Sequence, residues 1–112
     1  MKTDYITASS TLPPYLAYPR FLLGMDLRLI TKEVYCILLD MTVNGEGNVD
    51  KHGRRYLAFY NKTVAEIIDR TPSTVAQSLR ELEAVGLVEK KLIALHTPYR
   101  IYVKLPAGED TP

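Results

Sequence analysis

One cysteine, two histidines and no tryptophan occur in 112 residues. A lone thiol excludes an internal disulfide and any all-cysteine metal site, and the neighbours Val34, Ile37 and Leu38 place Cys36 in the interior. His52 and His96 lie far apart in segments that read as loops, with no ligand-spaced partner, so no metal or other cofactor is expected. No glycine-rich loop with its lysine is present, and no serine carries the flanking glycines of a nucleophile elbow. Glu33 and Asp40, seven residues apart on one expected helix, read as ordinary surface carboxylates. Catalysis is therefore not expected. No apolar run approaches the roughly 18–20 residues of a membrane span, and Met1–Tyr5 has no apolar signal core, which leads us to expect a cytoplasmic chain with no membrane contact.

What is present is ordinary for a folded protein: 46% hydrophobic and 24% charged residues, enough for one modest core and one domain. The formal net charge of +1 conceals an asymmetry. Residues 1–50 hold four Lys/Arg and six Asp/Glu, residues 51–104 hold ten and five, and Glu109 and Asp110 close the chain. Positive charge gathers in the second half, as on a protein with a face towards a polyanion.

Residues 1–18, rich in Thr, Ser, Pro and Tyr without a period, read as an irregular arm, with Tyr5, Tyr15 and Tyr18 placed to lie across the domain or a partner. Pro19–Leu23 reads as a helical turn closed by Gly24, with Phe21 and Leu22 inward. Val34, Tyr35, Ile37, Leu38 and Met41 predict a first helix over 31–43, capped by Thr31, or by Asp26 if it starts earlier. Asn44–Asn48 should end it, the two glycines inviting positive φ. A loop through Asp50–Gly53 leads to a short aromatic strand, 55–60. Asn61 is the expected cap of a second helix reaching Arg70, with Val64, Ala65, Ile67 and Ile68 inward; the formal sequon Asn61-Lys62-Thr63 is better read as this cap. Thr71-Pro72 announces a third helix running to Val85 and stopped by Gly86. Two strands follow, 87–92 and 99–105, the second with Tyr99, Ile101, Val103 and Leu105 on one face. Tyr35, Tyr56, Tyr99 and Tyr102 fall at core or strand positions, and so read as packing and not as a stacking platform. Residues 106–112 read as a loose tail. The order predicts a mainly α fold with a small β hairpin or sheet: a winged helix-turn-helix of three core helices and a wing, occupying residues 19–105.

The third helix carries the functional expectation. Val75, Leu79, Leu82 and Val85 form one apolar stripe, leaving Ser73, Thr74, Gln77, Ser78 and Arg80 opposite it, with Glu81 and Glu83 only later. A helix of this length, about 20 Å, can reach base edges in a major groove about 12 Å wide. Gln77 suits adenine, Arg80 suits guanine or phosphate, and Ser73 and Thr74 offer hydroxyls beside the helix N-terminus. Ser78, Arg54, Arg55, Lys62, Lys90, Lys91, Arg100 and Lys104 are the candidate phosphate contacts.

Tyr35 to Lys104 resembles the N-terminal domain of RepA-type replication initiators of plasmids and other mobile elements. The resemblance rests on Pro19 with Phe21-Leu22, on Tyr35-Cys36-Ile37-Leu38-Leu39-Asp40, and on Asp50-Lys51-His52-Gly53-Arg54-Arg55-Tyr56. Thr74 with Glu81-Leu82, Gly86-Leu87-Val88-Glu89-Lys90, and Pro98 with Ile101-Tyr102-Val103-Lys104 complete it. It implies binding of double-stranded DNA at repeated origin sites, as a homodimer and beside other replication proteins. Three departures stand out. The family's basic, glycine-rich wing tip is replaced by Leu92-Ile93-Ala94-Leu95-His96-Thr97, whose Ile93 and Leu95 suit a protein interface. Gln77 stands where the family tends to have lysine. The C-terminal domain of full initiators has no counterpart in these residues. The residues leave two other readings open: a transcriptional regulator on the same domain, and a protein-interaction module working through the apolar wing.

Overall fold

Helix, strand, two helices joined by a tight turn, and a hairpin follow one another as a winged helix requires, in a computed structural model that describes residues 1–45, 48–58 and 61–107. A 3₁₀ turn, Arg20–Gly24, precedes α1 (Leu29–Asn44), β1 (Asn48–Val49), β2 (Arg55–Ala58), α2 (Asn61–Ile68), α3 (Pro72–Ala84), β3 (Val88–Lys91) and β4 (Arg100–Val103). The strands form one antiparallel sheet in the order β1-β2-β4-β3. Residues 1–18 form no helix or strand, and the radius of gyration is 16.2 Å, against about 13 Å for a compact chain of this size. The end of the arm turns back on the domain, Tyr15 and Ala17 sharing a groove with Leu39 and Val43 of α1.

The core is made where the helices meet the inner sheet face. Leu22, Val34, Tyr35, Leu38, Val64, Ala65, Val75, Leu79 and Leu82 close over Leu57, Val88 and Ile101, all buried, and each large apolar side chain contributes about 1.5–3 kcal/mol by leaving water. Tyr35 is the hub. Phe21 meets its ring edge-on at 5.7 Å, its hydroxyl donates to the Lys104 carbonyl at 2.7 Å, and burial pushes its pKa up to about 12. Cys36 is buried as expected, and burial raises its pKa.

Both helices of the helix-turn-helix end in the same motif. At α3, Gly86 has φ +84°, with Leu87 N–H donating to Leu82 O at 2.9 Å and Gly86 N–H to Glu83 O at 3.1 Å: a Schellman closure. At α2 the left-handed residue is Asp69, φ 56°, with Arg70 N–H on Ala65 O at 2.9 Å. The second helix therefore stops at Ile68 and not at Arg70, because an aspartate tolerates the left-handed region. Thr71 then caps α3 as predicted, its Oγ1 accepting from Thr74 N–H at 3.3 Å with Pro72 in the first turn.

Several expectations are corrected. Neither Thr31 nor Asp26 caps α1; the extended Arg28 precedes it without a side-chain cap, and Thr31 lies inside the helix, fully buried. Gly45 has φ −88°, and what demands glycine is space, since a Cβ there would overlap the Met41 carbonyl oxygen. The loop after α1 contains a strand, β1, paired with β2 through Asn48↔Tyr56 and Val49↔Arg55. The strand 55–60 is seen to Ala58, its last two positions lying outside the described residues. Val85 is 45% exposed, so the α3 stripe ends at Leu82, and Ile67 on α2 is exposed. Along β4, Ile101 and Val103 face the core while Tyr99 and Leu105 are largely exposed; Tyr102, on the outer face, is only 7% exposed.

Tyr102 is covered by the β1–β2 loop. The carboxylate of Asp50 accepts from the backbone N–H of His52 (2.8 Å) and Arg54 (2.9 Å) through Oδ1, and from the Tyr102 hydroxyl at 2.9 Å through Oδ2. Gly53, φ +81°, makes the return. These bonds, the Arg54 N–H foremost, lower the Asp50 pKa from 3.8 to about 2.

A polar clasp joins α1 to α3. Thr31 Oγ1 donates to Glu81 Oε1 at 2.6 Å. Its single proton is thereby used, so the 3.1 Å contact with the buried Ser78 hydroxyl must have Ser78 as donor. Arg28 completes the clasp, its Nε and Nη2 both 2.8 Å from Glu81 Oε2.

Two stability predictions follow from these contacts. Thr31→Val leaves the Ser78 hydroxyl buried without its acceptor and should cost about 1–3 kcal/mol in urea unfolding. Adding Ser78→Ala to that variant should then cost almost nothing, whereas additive losses would show the two hydroxyls to be uncoupled. Because the folded-state pKa of Asp50 is depressed, its contribution is complete above about pH 4 and is lost as pH falls towards 2. The gap in urea midpoint between wild type and Asp50→Asn should accordingly be widest near pH 6 and narrow at pH 3.

Candidate nucleic-acid interface

Helix α3 projects from the clasp with one side wet. Ser73, Gln77 and Arg80 are exposed and Thr74 is half-buried. They recur three or four residues apart and therefore share a face. Thr74 is partly committed to the helix start, its Oγ1 3.2 Å from Thr71 Oγ1. Arg70, exposed in the turn just before the Thr71 cap, adds a basic group that the periodicity argument passed over, since it weighed only residues within the helix.

Ser78 is corrected. It is fully buried against Thr31 and reaches no phosphate; the spacing that put it opposite the apolar stripe missed that α1 packs along that edge of α3. The same contact disposes of a carboxylate. Glu81 is turned onto Arg28 and Thr31, and these partners hold its pKa below the usual range, the Arg28 hydrogen bond most of all. Glu81 is thus held back against α1 and paired with a cation.

The basic residues do not form one ring. Residues paired across an antiparallel ladder share a face. Lys90 pairs with Ile101 and so lies on the helix side of the wing, while Lys91 pairs with Arg100 on the outer side. Lys90, with Nζ 4.3 Å above the Tyr99 ring, lines a 410 Å³ cleft between α3 and the wing, together with Asn61, Leu79 and His96. Lys62 follows Asn61 at the exposed start of α2. On the outer side Arg100 stacks on Tyr56 at 4.2 Å, and Lys91 and Arg100 line a second concavity with Lys51 and His52 of the β1–β2 loop. The third group, Arg54, Arg55 and Lys104, surrounds a 510 Å³ concavity beside Thr42 and Glu89. Arg55 there donates to the Thr42 and Val43 carbonyls at 3.1 and 3.3 Å, so it is spent in part on capping α1.

At the wing tip Ile93 is 51% and Leu95 78% exposed, and His96 turns the chain with φ 66°. Among the described residues no helix is long and apolar enough to cross a membrane.

The fold has solved counterparts. One, described as the N-terminal domain of a DNA-binding protein, superposes with a TM-score of 0.74 at 21% identity over 97% of this chain and 88% of that one. Another, described as the structure of a Rep–DNA complex, gives 0.72 at 21% over 96% and 88%. A third, described as the structure of an MDR initiator, gives 0.71 at 21% over 87% and 81%. At this identity they establish the fold. Among curated proteins none matches the chain in sequence. Residues 15–110, nearly the whole chain, match the family of the replication initiator protein A (RepA) N-terminus, and the chain belongs to that family.

Proposed function

We propose that this chain binds double-stranded DNA sequence-specifically, with α3 in the major groove, for replication initiation at the origin of a plasmid or other mobile element, and performs no reaction of its own. The observation that carries the reading is the wet face of α3: Ser73, Gln77 and Arg80 exposed, with Glu81 withdrawn onto Arg28. Gln77 and Arg80 supply the base-reading chemistry; Lys62 and Lys90 flank them as phosphate contacts on the helix side. The family supports initiation, and the neighbours described as a Rep–DNA complex and an initiator support DNA as the partner. A footprint inside an origin, as opposed to a promoter, separates this role from transcriptional regulation.

The exposure of Leu95 favours a second task for the wing tip: contact between copies of the chain, which would assemble as a homodimer. An apolar tip binds phosphate poorly and gains by leaving water.

Selection of bound sequences from a random duplex pool should enrich one motif. Affinity for it should fall with salt by about 0.9 in log K per log salt for each phosphate neutralised, and a flat response would overturn the reading. Gln77→Ala should relax preference at one base pair by about 1–3 kcal/mol, whereas Lys62→Ala should weaken all duplexes alike. In sedimentation, Leu95→Glu should be monomeric at concentrations where the wild type is dimeric; a dimeric variant would remove the wing tip from the contact.

A further inference from the structure

A concavity of 510 Å³ lies at the root of the hairpin, away from the reading end of α3. Lys104 N–H donates to the Leu87 carbonyl at 2.8 Å, which sets Lys104 where α3 passes into β3. Ser73 stands at the other end of that helix, about 18 Å along its axis. Arg54, Arg55 and Lys104, all exposed, surround the concavity with one carboxylate, Glu89. Among the described residues the only ion pair is Arg28–Glu81, so Glu89 neutralises none of the three by contact. Tyr102 and Val103 supply a hydrocarbon wall, and the Tyr102 ring is held there by its bond to Asp50. Arg55 is set in advance: its Nη1 donates to the Thr42 and Val43 carbonyls at 3.1 and 3.3 Å, which leaves Nη2 and Nε for a ligand. A guanidinium already fixed in place loses little freedom on binding, and its fork matches a carboxylate.

We propose that this concavity docks an acidic peptide segment of a partner protein, one with Asp or Glu beside an apolar side chain, and does so while α3 holds its duplex. The peptide site stands without the duplex-binding reading; only its compatibility with DNA rests on it. Three cations around a single carboxylate leave a surplus of positive charge for the peptide's carboxylates, and its apolar side chain covers Val103 and the Tyr102 ring. A volume of this size takes a few side chains. Glu89 decides against a nucleic-acid strand. Every unit of a phosphodiester backbone is charged and would repel it, whereas a peptide spaces its carboxylates and offers N–H groups that Glu89 can accept. Arg54, Arg55 and Lys104 are thereby removed from the candidate phosphate contacts and given to a second partner on another side of the domain.

The test uses the full chain and selection from random peptides displayed on phage, then a fluorescein-labelled Asp/Glu-rich peptide read by anisotropy against its Asn/Gln counterpart. Selection should enrich Asp and Glu, and the acidic peptide alone should bind. Arg54→Ala and Lys104→Ala should each weaken it about three- to tenfold, and Glu89→Gln should tighten it about threefold, with urea midpoints unchanged. Lys91→Ala, in the neighbouring concavity, should leave it unaltered. The duplex enriched by selection should neither displace the peptide nor lose salt slope in Arg54→Ala and Lys104→Ala. No enrichment of acidic peptides, or an affinity indifferent to Arg54, Lys104 and Glu89, refutes the site. A loss of about 0.9 in salt slope for each of the two variants would make these cations phosphate contacts and refute peptide docking. Sedimentation showing that the same variants no longer dimerise would name a second copy as the occupant and refute it too. If the wild type binds no duplex but the peptide results hold, the α3 reading falls and the peptide site stands.

Discussion

The orientation of α3 depends on one polar clasp. Ser78 donates to Thr31, Thr31 donates to Glu81, and Arg28 binds Glu81 from outside. Apolar packing alone leaves a helix some freedom to rotate, because Leu and Val side chains meet their neighbours without direction. Buried hydroxyls do not share that freedom, since a quarter turn of α3 would strand Ser78 without a partner in a dry interior. Fixing Ser78 inward fixes Ser73, Gln77 and Arg80 outward. The clasp also draws one carboxylate away from the face on which negative charge would be most harmful to a polyanion-binding role.

The sheet is built on a comparable economy. Its inner face carries Leu57, Val88 and Ile101 into the core, as an antiparallel sheet with one dry side should. Its outer face is covered only at Tyr102, by the β1–β2 loop whose Asp50 reaches the tyrosine hydroxyl. One aspartate thereby orders the turn through two backbone N–H groups and fastens it to the next strand but one. The motif Asp50-Lys51-His52-Gly53-Arg54-Arg55 has a physical reason throughout: the aspartate accepts, the glycine takes φ +81°, Arg55 caps α1, and Lys51 and His52 are left to face outward.

Much of this was legible in the residues. Thr71-Pro72 and Gly86 bounded α3 because caps and left-handed stops are local chemistry, written in one or two residues. The order of elements followed from periodicity and turn residues, the inward Phe21-Leu22 turn from its stop at Gly24, and the buried Cys36 from its apolar neighbours. What stayed hidden was tertiary. Thr31 looked like a cap and Ser78 like a surface hydroxyl; each is polar, and nothing in a helical pattern says that two such residues 47 positions apart satisfy each other. Tyr102 broke strand alternation because a loop more than forty residues earlier covers it. Asp69 stopped α2 where a glycine would have announced the stop, and β1 was too short to show a period.

Charge placement carries the last step. A chain of net charge +1 has no long-range pull on DNA to speak of, since charges more than about 8 Å apart are screened at physiological salt. Attraction must come from clusters whose members lie closer than that and whose carboxylates are occupied. The fold brings basic residues together from scattered positions: Lys51 and His52 line one concavity with Lys91 and Arg100, while Lys90 turns to the other side. Asp50 and Glu81 remain in the charge count but have their oxygens taken up by internal donors. Overall neutrality therefore weakens attraction at a distance and leaves local contact chemistry intact.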